Sequence, residues 1–177
     1  MDTLEVGDRV AMSWDAYLAH RGQRRGEYYD DAFVVSPSAV QRHQRIVARL
    51  LGLIAPALPE SADVLPDWGW RPWPSTEFIP DLVVFDRTDD RYLTTPPHLV
   101  VEVLSDDRGR DLLRKFHLYA RAGAPRSWVI DPEGPTIVVY VLDGQVYRES
   151  ARVAGDERAR FDVGTTSLEI TPADLVR

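Results

Sequence analysis

The sequence contains no cysteine, and only one of its 21 Lys and Arg residues is a lysine. Without cysteine the chain cannot form a disulfide, a thiolate zinc site or a thiol nucleophile. No apolar run approaches the roughly 18 residues that a membrane-spanning helix needs. The opening residues, MDTLE, have neither the basic nor the apolar region of a signal peptide. We therefore expect a cytoplasmic protein with no membrane segment.

The chain is long enough for one domain with a sizeable core, since it has 177 residues of which 44% are hydrophobic. We predict a single domain over 1–177. It would comprise an N-terminal helix and hairpin within 13–60, a core that carries the chemistry within 61–142, and C-terminal strands within 143–177. The net charge of −7 argues against a wide nucleic-acid-binding surface but allows a local basic face.

Hydrophobic periodicity predicts an α/β (α+β) chain, with a mixed sheet flanked by helices and an antiparallel extension. Ser13 should cap a helix over 14–20, and Asp30-Asp31 should turn a hairpin. Strands over 81–85 and 98–104 precede a helix over 111–122 and a strand over 127–130. The last three elements suit a parallel crossover.

The same periodicity predicts which side chains are buried. Trp68 and Trp70 should point the same way on an extended segment, as a wall of the core or a dimer contact rather than a platform for bases. A helix beginning near Ser36 should bury one face, and the helix over 111–122 another. These faces comprise Val40, Val47, Leu50, Leu51 and Ile54 in the first helix, and Leu112, Leu113, Phe116, Tyr119 and Ala120 in the second.

Glu102 is the most unusual residue of its predicted strand, because apolar side chains flank it on both faces of the segment LVVEVL. A carboxylate in such surroundings is costly unless it is paired or binds a metal. Asp81 opens the other strand, where it could also simply cap a turn. Neighbouring strands would bring the two carboxylates together, and hard oxygen ligands suit Mg²⁺ or Mn²⁺.

Lys115 is the single lysine, and it follows Glu102 on the predicted helix. Arginine serves for solubility and ion pairs, but it cannot supply a compact ammonium whose charge is tuned by its surroundings. Lys115 could therefore orient water or stabilise charge on a phosphate. Asp111 stands four residues before it, a spacing equally typical of an ordinary ion pair on a helix surface.

Basic residues near the predicted helices are candidates for contacts to nucleic acid. Each cluster could also be an ordinary solvated face. We place His43 on the arginine-bearing face of its helix, where a surface or dimer-contact role competes with a phosphate contact or an accessory catalytic role. The candidates are Arg42, His43, Arg45, Arg108 and Arg110.

Five segments in this order resemble the Uma-two family of restriction-endonuclease-like proteins, in the PD-(D/E)xK nuclease superfamily. Glu27 and the segment 36–44 are also similar to the N-terminal half of that family. No single motif is specific, whereas the ordered set is, and the resemblance spans about residues 13–175. The segments are 80–84 (PDLVV), 100–105 (VVEVLS), 111–115 (DLLRK), 119–123 (YARAG) and 128–132 (WVIDP).

The resemblance implies a metal-dependent DNA endonuclease on a mixed-sheet core, with Mg²⁺ or Mn²⁺ on Asp81, Glu102 and the backbone carbonyl of Val103. Glu27 would be a further possible ligand. The superfamily pattern E-x-K would place lysine at position 104, where this chain has leucine. Lys115 is the natural substitute, and Asp111 would orient it.

Two other functions compete with this one. A catalytically silent nuclease-fold module would bind nucleic acid or a protein partner, and a hydrolase would act on a smaller phosphodiester. The acidic net charge favours these two, whereas the intact set of Asp81, Glu102 and Lys115 favours hydrolysis. We also expect a homodimer, because nucleases that cut both strands need two sites and most oligomers are two-fold dimers.

Overall fold

The computed structural model describes residues 8–20, 26–36, 40–104 and 109–177, with backbone only for 109–111. The N-terminal half contains a short strand, a helix, a hairpin, a longer helix with a 3-10 turn, and one strand of the main sheet. These are β1 (Arg9–Ala11), α1 (Trp14–His20), β2 (Gly26–Tyr29), β3 (Ala32–Val35), α2 (Gln41–Ile54), the 3-10 turn (Ala55–Ala57) and β4 (Ala62–Pro66).

The remaining elements complete the main sheet and add a small hairpin and a last helix. These are β5 (Leu82–Asp86), β6 (Leu99–Val103), α3 (Gly109–Arg121), β7 (Arg126–Asp131), β8 (Thr136–Asp143), β9 (Val146–Ala154), β10 (Ala159–Asp162), β11 (Ser167–Ile170) and α4 (Pro172–Val176). No helix among the described residues is both long and apolar enough to cross a membrane.

The main sheet has six strands in the order β4-β5-β6-β7-β8-β9. Strands β6 and β7 are parallel, and α3 connects them along the chain, whereas the other neighbouring pairs are antiparallel. The predicted mixed sheet with an antiparallel extension is thus confirmed. The predicted hairpin is confirmed too, because Asp30 and Asp31 both have positive φ, as a two-residue turn of a twisted hairpin requires.

Alternating residues of the central strands face two separate clusters of buried side chains. Leu82 and Val84 of β5 pack with residues of α2 such as Leu50, in a cluster that continues to α4. Val83 packs with Tyr119 of α3 in the other cluster. This alternation follows from the two-residue period of a strand, and it fixes which helix each strand side chain meets.

Two predictions about helix faces are wrong. Helix α2 begins at Gln41, not near Ser36, so Val40 lies at its N-terminal boundary and is 62% exposed. Leu113 is 74% exposed, whereas Lys115 is buried with Leu118 and Tyr119. Residues 113 and 115 lie about 200° apart around a helix of 3.6 residues per turn, so burying Lys115 turns Leu113 outwards.

Trp68 and Trp70 pack largely against other residues of the same chain. Trp70 is fully buried and packs on Phe78 and Tyr119. Trp68 is half-buried, with its ring centroid 4.5 Å from that of Phe85. The prediction that these side chains wall the core is confirmed. The prediction of one extended segment is wrong beyond Pro66, because β4 ends there and Asp67 has a positive φ of 52°. These side chains therefore offer little support for a dimer contact.

Candidate functional site

The register of β5 and β6 brings Asp81 and Glu102 together. Leu82 pairs with Val101 in this antiparallel ladder, and the two acids are the next residues outward along it. The strands themselves are built from buried Leu and Val. Both carboxylates are nearly inaccessible, at 2% and 3% exposure. The buried apolar ladder therefore carries two carboxylates at one end.

Asp81 is held by donors from two different elements. Its Oδ2 accepts a hydrogen bond of 2.8 Å from the backbone N–H of Val103. The same oxygen lies 3.0 Å from His43 Nε2 of α2. His43 is 3% exposed, so its predicted place on a surface that contacts DNA is wrong. It stands three, four and seven residues before the buried Ile46, Val47 and Leu50, a spacing that could have shown its buried position.

Glu102 receives two contacts from α3, and both are made to Oε1. The hydroxyl of Tyr119 donates to this oxygen at 2.6 Å, and Lys115 Nζ lies 2.8 Å from it. The sequence predicts Tyr119 only as part of a buried face, and nothing in it distinguishes a buried tyrosine that packs from one that also binds a carboxylate. Glu102 and α3 thus share one face of the sheet.

Glu27 of β2 completes the cluster from a different sheet. Its Oε2 lies 3.0 Å from Lys115 Nζ, and its Oε1 accepts a 2.6 Å hydrogen bond from the backbone N–H of Ile79. Lys115 therefore bridges Glu27 and Glu102, and it is 5% exposed. The buried face predicted for α3 does not include Lys115, and that part of the prediction is wrong.

The cluster is electrically unbalanced. If Glu27, Asp81 and Glu102 are ionised, three negative charges face the single positive charge of Lys115, which leaves −3 + 1 = −2. Burial raises the pKa of Glu27 to about 7, against the attraction of Lys115 and together with the repulsion of Glu102. Burial also raises the pKa of Glu102, opposed by Lys115 and reinforced by Asp81.

Lys115 is fixed in its charged form. Burial alone would lower the pKa of Lys115, but the carboxylates of Glu102 and Glu27 outweigh that effect and raise it. Burial and the charge of Glu102 likewise raise the pKa of the Tyr119 hydroxyl, which therefore stays a hydrogen-bond donor. Glu102 therefore contacts a charged Lys115 and a protonated Tyr119 hydroxyl that donates to it.

The donor set fits a hard divalent cation in chemistry and charge. Mg²⁺ and Mn²⁺ prefer carboxylate oxygens and complete their coordination shells with water. The two positive charges of such an ion would balance the net charge of −2 on the ionised cluster. In the described part of the chain, no three or more His, Cys, Asp or Glu side chains are grouped to hold a metal. A metal at Asp81 and Glu102 would therefore need backbone oxygen or water as well, and a role for the Val103 carbonyl remains a prediction.

The other predicted site residues lie apart or outside the described part. Arg42 and Arg45 are exposed on α2, and Arg42 donates to the backbone carbonyl of Pro132. Arg108 lies outside the described residues. The side chains of Arg110 and Asp111 are not described either, so the pairing of Asp111 with Lys115 remains a prediction. Among described side chains, Glu27 and Glu102 are the acidic partners of Lys115.

Comparisons with known proteins agree with this architecture. Residues 14–173 match the family model described as "Uma2: Putative restriction endonuclease", and the chain belongs to that family. It is also similar to a crystal structure described as a putative nuclease belonging to DUF820 from Anabaena variabilis. The TM-score is 0.76 at 19% identity, covering 93% of this chain and 97% of the other. No curated protein matches the chain.

Proposed function

We propose that the protein is a metal-dependent endonuclease that hydrolyses phosphodiester bonds in DNA. The observation that carries this proposal is the grouping of three buried carboxylates, Glu27, Asp81 and Glu102, around the single ammonium of Lys115 where β5, β6 and α3 meet. Burying several carboxylates together is costly, whereas a cation-binding site requires such a grouping. Family membership supports nuclease chemistry.

In this proposal Asp81 and Glu102 hold Mg²⁺ or Mn²⁺, with the Val103 carbonyl and possible help from Glu27. A divalent ion bound there supplies Lewis-acid chemistry to a phosphate oxygen. Lys115 orients the attacking water and places a positive charge where negative charge builds up in the transition state. Glu27 orients Lys115 through its 3.0 Å contact, the role that the sequence suggested for Asp111.

Contacts to the DNA backbone would come from basic residues on α2 and in the segment before Lys115. Arg42 and Arg45 are exposed on α2, and Arg108 and Arg110 precede Lys115 in the sequence. Cutting both strands would need two sites, so we further propose a homodimer. Light scattering would give about 40 kDa, twice the 20.1 kDa of one chain, and a value near 20 kDa at micromolar concentration would contradict the dimer.

A smaller phosphodiester is the second candidate substrate. The acids and Lys115 are all at most 5% exposed, and the net charge is −7. Both features hinder a large polyanion more than a small diester. A substrate with one phosphodiester bond would also need less opening of the buried cluster.

Cleavage assays with Mn²⁺ or Mg²⁺ test the proposal and separate the substrates. Wild type should cleave plasmid DNA, and Glu102→Gln should lose at least a hundredfold in rate, about 2.7 kcal/mol of transition-state stabilisation. Bis(4-nitrophenyl) phosphate cleaved without any cleavage of DNA would favour the smaller substrate. Wild type inactive on both, with either metal, would contradict hydrolysis and favour a silent nuclease-fold module.

A further inference from the structure

His43 has an arrangement that packing alone does not explain. It lies on the apolar face of α2 that contains Ile46, Val47 and Leu50, and it is 3% exposed. One ring nitrogen, Nε2, lies 3.0 Å from Asp81 Oδ2. The other, Nδ1, is buried and has no hydrogen-bond partner among the described residues. A leucine would fill such a face without leaving a polar atom unsatisfied, which is costly in a protein interior.

The direction of the hydrogen bond follows from the role proposed for Asp81. A carboxylate that binds a metal is ionised and can only accept, so His43 then carries its proton on Nε2 and donates it to Asp81. The backbone N–H of Val103 donates to the same oxygen, Oδ2, at 2.8 Å. Two donors from α2 and β6 therefore hold one oxygen of the carboxylate, and this restricts rotation of the whole group.

We propose that His43 is a positioning residue that sets the orientation of the Asp81 carboxylate for metal binding. The inference rests on the proposed function, because it assumes that Asp81 is a ligand. Hydrogen bonds that hold a ligand carboxylate prepare it for the ion and increase affinity. The histidine thus acts through Asp81 and does not touch substrate.

The chain provides a matched control in a second histidine–aspartate pair. His98 Nε2 lies 2.8 Å from Asp86 Oδ1, at the opposite end of the β5 and β6 pairing from Asp81. This pair is more open, with side-chain exposures of 27% and 78%. This pair has the same histidine–aspartate chemistry but includes no acid of the Lys115 cluster. Replacing His98 should therefore not affect metal binding.

The test compares His43→Leu, His43→Gln and His98→Leu by calorimetric titration with Mn²⁺, with circular dichroism to confirm folding. Glutamine places an N–H the same number of bonds from Cβ as histidine Nε2, so it can keep the hydrogen bond to Asp81. His43→Leu should weaken Mn²⁺ binding about 10–100-fold. His43→Gln should recover most of that loss, and His98→Leu should bind as wild type does. His43→Met replaces the leucine variant if that variant does not fold.

The outcomes distinguish the positioning role from the metal site itself. Wild-type affinity in a folded His43→Leu or His43→Met variant would overturn the positioning role while leaving the metal site intact. Equal weakening in His43→Leu and His43→Gln would also overturn it, because the retained donor would then be irrelevant. Absence of Mn²⁺ binding by wild type would overturn the proposed function and the positioning role with it.

Discussion

Two places in the described part of the chain bury a carboxylate against a cation, and they differ in charge balance. At one, the fully buried Glu77 is paired with Arg71, whose Nε and Nη2 lie 3.2 and 2.8 Å from Glu77 Oε2. The Arg71 guanidinium also stacks 3.5 Å from the centre of the Tyr92 ring. At the other, Lys115 contacts two carboxylates, Glu27 and Glu102, with Asp81 beside them.

The difference separates a structural ion pair from a candidate site. One cation per carboxylate, with a planar guanidinium held between an acid and a ring, is a closed arrangement that needs no further ligand. If the three acids around the one ammonium are all ionised, two negative charges remain in a region with little exposure to solvent. The comparison teaches that the number of charges, more than burial itself, identifies the place where this protein would bind a cation.

Removal of the lysine should have the largest effect on stability. Lys115→Met leaves Glu27 and Glu102 buried without a counter-ion, and it should lower the free energy of unfolding by about 3–5 kcal/mol. The neighbouring Arg114 provides the control, because its pair with Asp30 is half-exposed. Arg114→Met should change stability by less than about 1 kcal/mol. Urea titrations at pH 7 measure both, and equal losses would contradict a special role of the buried lysine.

The second largest effect should be on the pH dependence of stability, which reports the excess of negative charge in the Lys115 cluster. Because the pKa of Glu27 is raised from 4.5 to about 7, the folded protein binds more protons than the unfolded chain in that range. Stability of the metal-free protein should therefore fall as pH rises from about 5 to 7, by up to about 3 kcal/mol from this residue. Thermal unfolding of Glu27→Gln should show a shallower decline. An identical slope in the two proteins would refute the assignment.

Neutralising one acid should act in opposite directions at the two places. Glu77→Gln removes the partner of Arg71 and should lower the free energy of unfolding by about 1.5–3 kcal/mol. Glu27→Gln should raise it in metal-free protein at pH 8, because it relieves repulsion while its Oε1 can still accept from Ile79. Urea titrations decide between these signs. Destabilisation by both variants would mean that the Lys115 cluster is as balanced as the Arg71 pair.

Much of the fold could be predicted because it depends on local patterns. The hairpin at Asp30-Asp31 follows from its turn residues, and the strand before α3 follows from a short apolar run. The direction in which helix side chains point is harder to predict, since an error of one residue rotates every side chain by about 100° around the helix axis. This is why Leu113 was assigned to the core and His43 to the surface.

The site could be predicted in part because a glutamate in an apolar strand needs an explanation. Asp81, Glu102 and Lys115 do lie together, although their roles remain predictions. The contact of Glu27 with Lys115 and that of Tyr119 with Glu102 depend on how distant segments pack. No spacing in the sequence encodes which of several buried tyrosines meets a carboxylate.

A crystal of the metal-free protein soaked in Mn²⁺ tests the central claim most directly, because anomalous scattering locates the ion without reference to activity. The account predicts one strong peak contacting both Asp81 and Glu102, and none at the balanced pair of Arg71 and Glu77. A peak that also disappears in Glu102→Gln would complete the assignment. No peak at Asp81 and Glu102 at saturating Mn²⁺ would contradict the claim that the excess charge is a metal site.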